Sequence, residues 1–356
     1  MAVEQSRGAL IHHLMSYEFF VLYPLNPLQM SNYRQTFRPS RAKDDRSDAE
    51  LICELLYCHR NRLRACKPDS QLQRKLAAFN QGRRQALNQR TRLSHEIKSQ
   101  LKVYFPLALQ LLDAHTTTAL AADLLLKWPS LESLQKQASQ PLRKFFYAHN
   151  CRGEAKMLQR IELIQQAKPL TQDASVIEPS ILRVQMLARQ LKSLLCDIAR
   201  YDKQIAQLFE AHPYREVFEN LPGAGPVLAP RLASAFGCDP KRWHSAAELS
   251  TFSGIAPVRR TSGKHHTIHS RQSCPKFLRQ SFHEYAACSI RYCPWSQAHY
   301  CSQRAKGKDH HAAIRSLAFK WIRILFACWK EHTPYDPQRY RQTLQRRGSY
   351  LANACP

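Results

Sequence analysis

The sequence places a serine–glycine pair among cations. Ser262 precedes Gly263, and the residues around the pair include three cations, Arg259, Arg260 and Lys264. Arginine and lysine side chains hold phosphates and stabilise the charge that develops when an oxygen attacks phosphorus. A serine hydroxyl in this setting predicts a group that attacks or holds a phosphodiester. The residue types alone leave open the alternative of a serine in an ordinary Ser-Gly turn.

Three acidic residues near the N-terminus carry carboxylates that could bind a metal ion. Asp45 and Asp48 are three residues apart, which places both on one face of a helix, and Glu4 lies near the start of the chain. Mg²⁺ prefers carboxylate oxygens, water and substrate phosphate as ligands. Two such ions flanking a phosphate stabilise the attacking and leaving oxygens of a displacement. Spacing alone leaves open that acids in a first helical turn only cap the helix and interact with its dipole.

A second candidate phosphate site is a glycine-rich turn. Gly223 and Gly225 stand in Leu-Pro-Gly-Ala-Gly-Pro, and a helical pattern follows. Such a turn exposes backbone N–H groups at a helix N-terminus, and it resembles the helix–hairpin–helix element of DNA-binding proteins. An ordinary turn with glycines at positive φ is the alternative. We expect the nucleic-acid interface to comprise the residues Gly223, Gly225, Arg259, Arg260, Lys264, Arg271 and Lys276.

The chain carries a large positive charge. Its 356 residues include 53 Lys and Arg against 27 Asp and Glu, a formal net charge of +26 at pH 7. The excess is uneven, because residues 259–347 hold 18 basic and 4 acidic residues. An excess of this size repels itself unless phosphates neutralise it, so it predicts a polyanionic partner. A merely soluble basic protein is the alternative.

Composition argues against several classes of protein. Apolar residues make up 44% of the chain, too many for a disordered tail. No window approaches the roughly 18 uncharged apolar residues of a membrane span, and Glu4 interrupts any signal-peptide core. The twelve cysteines are scattered without a Cys-x-x-Cys motif, which favours reduced thiols in the cytosol. The cluster His265, His266, His269 and Cys274 matches no standard zinc spacing.

The N-terminal part of the sequence alternates between strand and helix patterns. The patterns predict a strand end over residues 1–4, a helix over 8–17, a buried strand over 19–23 and a helix over 48–57. This order is typical of an α/β fold.

From about residue 70 the pattern becomes helical and basic. Apolar residues then follow alternating steps of three and four at Val184, Leu187, Leu191, Leu194, Ile198, Tyr201, Ile205 and Leu208. This spacing supports a coiled coil of about three heptads, within one chain or between chains. An amphipathic helix on a local core fits the spacing equally well. We expect the stripe to be used in self-association.

Aromatic residues interleave with the basic residues near the C-terminus. Stacking on exposed bases is one use for the residues Tyr285, Tyr292, Trp295, Tyr300, Trp321 and Trp329. Because aromatic residues at helical spacing are mostly core, we expect Trp321, Phe326 and Trp329 to be buried.

Taken together, these motifs resemble one family. Residues 42–49, Ala-Lys-Asp-Asp-Arg-Ser-Asp-Ala, resemble the Lys-x-Asp-Arg-x-Asp-Ala signature of the DEDD-type transposases of insertion sequences 110, 116 and 902, relatives of Piv-type DNA invertases. The strand end at Glu4 and the Asn-Pro pair that closes residues 21–27 resemble two further segments of that family. Residues 221–226 and 253–263 resemble its C-terminal transposase signature. The resemblance covers nearly the whole chain.

The resemblance implies a RuvC-like RNase H fold in which four acids bind Mg²⁺. Glu4, Asp45 and Asp48 fall on the second, third and fourth acids, and the first, an Asp on the opening strand, has no counterpart. The resemblance also implies that Ser262 is a nucleophile that forms a transient covalent link to DNA. Some family members are guided by a structured non-coding RNA, so such an RNA is an expected second partner.

Three alternative functions are consistent with these expectations. The first is a transposase and site-specific recombinase that cuts and rejoins DNA through Ser262, assisted by Mg²⁺ at the three acids. The second is a truncated remnant that only binds nucleic acid, and the third is a RuvC-like nuclease that needs no serine. We expect DNA as the partner and a homo-oligomer, a dimer or tetramer. The resemblance also implies a bacterial cytoplasmic protein associated with the nucleoid.

The expected organisation has three domains and a tail. They are an N-terminally incomplete RuvC-like domain (1–105), a helical linker with the coiled coil (106–215), an α-rich C-terminal transposase domain with the serine loop and the helix–hairpin–helix-like element (216–350), and the tail (351–356).

Overall fold

The computed structural model describes residues 1–4, 8–17, 19–37, 44–66, 69–263, 265–269, 271 and 273–354. Contacts divide the chain into two units, Met1–Gln71 and Leu72–Pro356. The described residues are mostly helical, and their four short strands form two separate two-stranded sheets. The finer division into three domains and a tail stays a prediction.

The first unit begins with the predicted alternation of strand and helix. β1 (Ala2–Val3) pairs in parallel with β2 (Tyr23–Pro24), and α1 (Ala9–Leu14) lies between them in sequence. The elements that follow are helical: α2 (Pro27–Phe37), α3 (Asp45–His59) and a 3₁₀ turn (Arg60–Arg62). Proline suits the first position of α2, because its missing N–H needs no partner there. The RuvC-like fold itself stays a prediction.

The core of the first unit is small, with the buried apolar residues Leu25, Met30, Leu51 and Leu55. The buried strand predicted over residues 19–23 is wrong for most of its length, because β2 begins only at Tyr23. Phe19 and Val21 are more than half exposed, whereas Leu22, which forms a bridge with Cys66, is buried. Because β1 has two residues, its ladder with β2 is too short to cover this apolar run.

Shorter helices connect two long ones in the second unit. The long ones are α4 (Gln71–Tyr104) and α10 (Ala174–Glu210). Between them lie α5 (Leu107–Leu111), α6 (Ala119–Lys127), α7 (Leu131–Gln135), α8 (Ser139–Ala148) and α9 (Glu154–Gln166). After α10 come α11 (Arg215–Glu219), α12 (Gly225–Phe236), α13 (Ala246–Phe252), β3 (Val258–Ser262), β4 (His265–His269), α14 (Lys276–Ser289), α15 (Pro294–Ala305), α16 (His310–Glu331), α17 (Pro337–Arg346) and a 3₁₀ helix (Tyr350–Ala354). None of the helices in the described ranges is long and apolar enough to cross a lipid bilayer.

The helices α4 and α10 lie side by side. The ring of Phe79 contacts Tyr201 edge to face, and Arg83 pairs with Asp202. Gly82 permits this approach, because an added Cβ would lie 2.8 Å from the Tyr201 side chain. Leu76 shares a core with Ile205 and Phe209, while Ile97 and Leu101 share another with Val184 and Leu187. The two helices therefore run antiparallel.

Each end of this helix pair is buried in its own core. One core joins α4 and α10 to α5–α9, and the other joins them to α11–α17. The stripe of α10 lies within these cores, because the chain itself buries Val184, Leu187, Leu191, Ile198 and Ile205. Its predicted use as an inter-chain seam is wrong for these residues, since they already pack within one chain. The oligomeric state stays a prediction.

Most of the C-terminal aromatic residues belong to the core. Trp321 and Trp329 are buried, as predicted, whereas Phe326 is only half-buried against the same core. Tyr285 and Trp295 are also buried, so the structure does not present them for stacking on bases. Tyr292, at 66% exposure, is open to a ligand.

Candidate active site

Ser262 lies at the turn of a β-hairpin. β3 and β4 pair antiparallel, with Ser262 opposite His265 at the turn and Val258 opposite His269 at the base. The turn begins at Gly263, whose φ of +56° is a left-handed conformation that glycine adopts without the steric cost of a Cβ. Because Ser262 is exposed, its hydroxyl is accessible to a ligand.

The base of this hairpin is tightly packed. The backbone N–H groups of Ile255 and Ala256 both donate to the Ser250 carbonyl, at 3.0 and 2.9 Å, and Ile255 is buried. Gly254 has a φ of +76°, and an added Cβ would lie 2.7 Å from the Cys274 Cβ. This close approach fixes the segment before β3 against the segment after β4, so it holds both ends of the hairpin.

The predicted cations lie along and beside the hairpin. Arg259 and Arg260 are exposed on β3, and strand alternation places Arg260 on the face of Ser262. Lys276 is exposed at the first position of α14. Arg271 is half-buried, and its carbonyl accepts a hydrogen bond from Arg279 at 3.0 Å. Lys264 lies outside the described residues.

The Gly-x-Gly turn connects α11 to α12. Gly223 has a φ of +78°, and an added Cβ would lie 2.8 Å from the Tyr292 ring and 3.1 Å from the Cys288 carbonyl oxygen. Gly225 has a φ of +54°, is exposed, and has nothing within 4 Å of an added Cβ. The first glycine therefore serves packing, while the second leaves an open surface at the start of α12. The helix–hairpin–helix element stays a prediction.

An ion pair between a buried arginine and a half-buried glutamate fixes α12 to α14. Arg231 donates Nε–H to the Ser281 hydroxyl at 3.2 Å and pairs with Glu284, which also contacts Arg84 of α4 at 3.4 Å. Burial lowers the pKa of Arg231, and the charge of Glu284 opposes that shift. Because α12 follows the Gly-x-Gly turn and α14 follows the hairpin, this pair ties the two candidate phosphate-binding segments together.

The three predicted metal ligands lie in the first unit, in different settings. Glu4 is exposed after β1, and Asp45 is exposed at the first position of α3. The cap of α3 is Asp44, whose carboxylate accepts the Ser47 N–H at 2.9 Å. Asp48 is 8% exposed.

Both oxygens of Asp48 are bound by an arginine. Arg34 on α2 donates Nε–H to Oδ1 at 2.7 Å and Nη2–H to Oδ2 at 2.6 Å. No sequence signal pointed to Arg34, because a pair between residues of two helices, 14 positions apart in sequence, follows no helical spacing.

These carboxylates do not fit an Mg²⁺ ion in this arrangement. Carboxylate oxygen is the right chemistry, but the ion needs oxygens that are free to bind it. A bidentate guanidinium holds both oxygens of Asp48. Within the part of the chain that the structure describes, no three His, Cys, Asp or Glu side chains form a group that could hold a metal.

Two family models match the regions that hold these residues. A model of DEDD-type IS110 transposases, described as a transposase, matches residues 1–106. A model described as the transposase IS116/IS110/IS902 family matches residues 215–301. The first region contains the three acids, and the second contains Ser262 and the Gly-x-Gly turn.

Curated relatives span most of the chain. It is 26% identical over 343 residues to the "Mini-circle putative transposase for IS117" of Streptomyces coelicolor, which covers 95% of this chain and 83% of the relative. It is 26% identical over 304 residues to an uncharacterized protein of insertion element IS110 from the same organism, with 84% and 73% covered. An uncharacterized IS900 protein of Mycobacterium paratuberculosis is 31% identical over 156 residues, 43% of this chain and 39% of the relative.

The chain belongs to the IS110/IS116/IS902 family of insertion-sequence transposases. This membership implies DNA transposition, with DNA as the partner.

Proposed function

We propose that the chain cuts and rejoins insertion-sequence DNA through Ser262. The observation that carries the proposal is the exposed position of Ser262 at the turn of a hairpin with a tightly packed base. A hydroxyl in this position can reach a phosphate while the rest of the unit stays folded. Exposed Arg260 on the same face supplies a cation for that phosphate.

The proposed reaction moves an ester link from DNA to the protein. The Ser262 hydroxyl loses its proton and its Oγ bonds to phosphorus, while the bond from phosphorus to one deoxyribose oxygen breaks. That oxygen takes up a proton and leaves as a hydroxyl, so the DNA end is held on Ser262 as a phosphodiester. Attack by the hydroxyl of a second DNA end then frees Ser262 and rejoins the strand.

The cations of the hairpin stabilise this reaction. Arg260, on the same face as Ser262, places positive charge near the phosphorus, where negative charge accumulates in the transition state, and Arg259 adds positive charge on the other face of the hairpin. If bound at Glu4, Asp45 and Asp48, Mg²⁺ would add similar stabilisation for the attacking and leaving oxygens. In the described arrangement Arg34 binds both oxygens of Asp48 and the described acids do not fit the ion, so this contribution depends on a rearrangement of the first unit.

The test is the formation of a covalent adduct. Ser262→Ala should abolish protein–DNA adducts on a denaturing gel, with labelled DNA that carries the element ends, and should leave DNA binding intact. Thr261→Ala is the matched control, because Thr261 is an equally exposed hydroxyl that strand alternation places on the other face of the hairpin. An adduct that survives Ser262→Ala, or is lost only in Thr261→Ala, would overturn the serine assignment.

Nucleic-acid binding without cleavage is a second candidate function. The Arg34–Asp48 pair favours it, because a carboxylate with both oxygens bound cannot also bind a metal ion. Binding alone predicts normal DNA affinity and no adduct from the native chain. The RuvC-like nuclease alternative predicts that Ser262→Ala still cleaves DNA.

We further propose a structured RNA as a second partner and a homo-oligomer as the active form. The net charge of +26 supports RNA binding as well as DNA binding. Transcripts of the element's non-coding region should bind more tightly than scrambled RNA of the same length. Equal affinities would mean that the chain attracts any RNA through charge alone.

The proposed homo-oligomer has its own test, which is light scattering of the chain with and without DNA.

A further inference from the structure

We infer that His265 accepts the proton of Ser262 during attack on phosphorus, an inference that rests on the proposed serine function. The two residues flank the turn and pair directly across the hairpin. Opposite side chains in an antiparallel pair emerge on one face, with Cβ atoms about 4.5–5.5 Å apart. Both residues are exposed, so side-chain rotation can bring an imidazole nitrogen within hydrogen-bond reach of the Ser262 Oγ, as a general base requires.

The sequence around the hairpin offers few other proton acceptors. No Asp or Glu occurs between Glu248 and Glu284. Glu248 accepts the backbone N–H of His244 at 2.7 Å, and Glu284 pairs with Arg231, so both carboxylates serve other contacts. Arginine and lysine side chains carry donors and no acceptor.

A second histidine on the same face is too distant to act on Ser262. His269 lies opposite Val258, at the base of the hairpin. It is four residues from His265 along β4, which is about 13 Å at the rise of an antiparallel strand. His269 therefore provides a control of the same residue type on the same strand.

Each proton in this reaction has a donor and an acceptor. The Ser262 O–H proton moves to a neutral His265 nitrogen as Oγ bonds to phosphorus. The bond to the sugar oxygen breaks on the opposite side, and that oxygen takes its proton from solvent. In the rejoining step an imidazolium at His265 returns a proton to the Ser262 Oγ as it leaves phosphorus, and the attacking hydroxyl of the second DNA end gives its proton to solvent. Arg260 binds the phosphate and keeps its proton throughout.

The experiment measures the rate of adduct formation at saturating DNA, with DNA affinity measured separately. His265→Ala should lower the rate by about 10²–10⁴-fold and leave the affinity unchanged. Added imidazole should restore part of the rate in His265→Ala and none in Ser262→Ala. His265→Arg introduces a cation that cannot accept a proton, so it should be as slow as His265→Ala. His269→Ala should react at nearly the native rate.

The outcomes separate this inference from the function on which it rests. Recovery of the rate in His265→Arg would show that the residue binds phosphate, and would overturn the inference. A native rate in His265→Ala, with no adduct in Ser262→Ala, would overturn the role of His265 as proton acceptor and leave the serine function in place. Adducts in Ser262→Ala, or none from the native chain, would overturn both.

Discussion

Asp48 and Ser262, the candidate reactive groups of the two units, lie in opposite settings. Asp48 is 8% exposed, and both of its oxygens are bound by Arg34. Ser262 is exposed at the turn of a two-stranded hairpin, beside exposed cations. The carboxylate is stabilised by a partner from its own unit, whereas the serine is open to a ligand.

The two settings indicate different roles: Asp48 contributes to the stability of its unit, and Ser262 is available for reaction. A buried charge that loses its partner is strongly unfavourable, so the Arg34–Asp48 pair contributes to the folded state of the first unit. An exposed hydroxyl that is removed costs the fold little. The acidic region must therefore rearrange before Asp48 binds an ion, whereas the hairpin can contact a phosphate in the conformation described.

The largest effect on stability is expected from breaking the Arg34–Asp48 pair. Arg34→Met should destabilise the first unit by about 3–5 kcal/mol, because it leaves the Asp48 carboxylate buried and unpaired. Hydrogen exchange of the α3 amides during urea titration measures this change within the unit. Adding Asp48→Leu to Arg34→Met should recover most of the loss, because the buried charge is then gone.

The control for this prediction is an exposed pair on the same helix. Arg46 contacts Glu50 at 3.4 Å with its side chain 91% exposed, so Arg46→Gln should leave α3 exchange nearly unchanged. Equal effects of Arg34→Met and Arg46→Gln would show that burial does not distinguish Asp48, and the comparison would fail.

Salt should act on the two regions differently. The affinity for duplex DNA should fall by on the order of a hundredfold or more between low and moderate salt, because binding to phosphates releases counterions. Replacing both Arg259 and Arg260 by Gln should reduce the slope of log affinity against log salt, by about 0.9 for each phosphate that the variant no longer neutralises. Exchange protection at α3 should change little, since buried pairs are screened less. A flat salt dependence of DNA affinity would contradict the electrostatic role of the hairpin.

Local sequence signals predicted some of the structural features of these two regions. Apolar steps of three and four predict α10, and the Ser-Gly pair predicts a turn, which the structure places at Gly263. The sequence could not show that Arg34 binds Asp48, because that pair depends on how α2 packs against α3. It could not assign the stripe of α10 to a core of one chain either, since a local core and an inter-chain seam require the same spacing.

A moderate effect is expected at the base of the hairpin. Gly254→Ala should destabilise the second unit by about 1–3 kcal/mol and lower the adduct yield, because the added Cβ meets Cys274 at a positive φ. Gly263→Ala also has a positive φ but nothing within 4 Å of the added Cβ, so it should cost only the conformational part, about 1 kcal/mol. Thermal melting and the adduct assay measure both variants. Equal losses of stability would mean that the close approach to Cys274 does not hold the hairpin.

The smallest effect on stability is expected at the turn and strands of the hairpin that carries Ser262. Ser262→Ala, Thr261→Ala and Ile268→Ala should each change the free energy of unfolding by less than about 0.5 kcal/mol, because all three residues are exposed, Ile268 at 71%. Urea unfolding followed by circular dichroism measures the change. A loss above about 1 kcal/mol would place the hairpin within the folding core, and a missing adduct in Ser262→Ala could then reflect unfolding. A loss below that limit assigns the missing adduct to the missing hydroxyl, since the same variant keeps its fold and the neighbouring Thr261→Ala keeps its adduct.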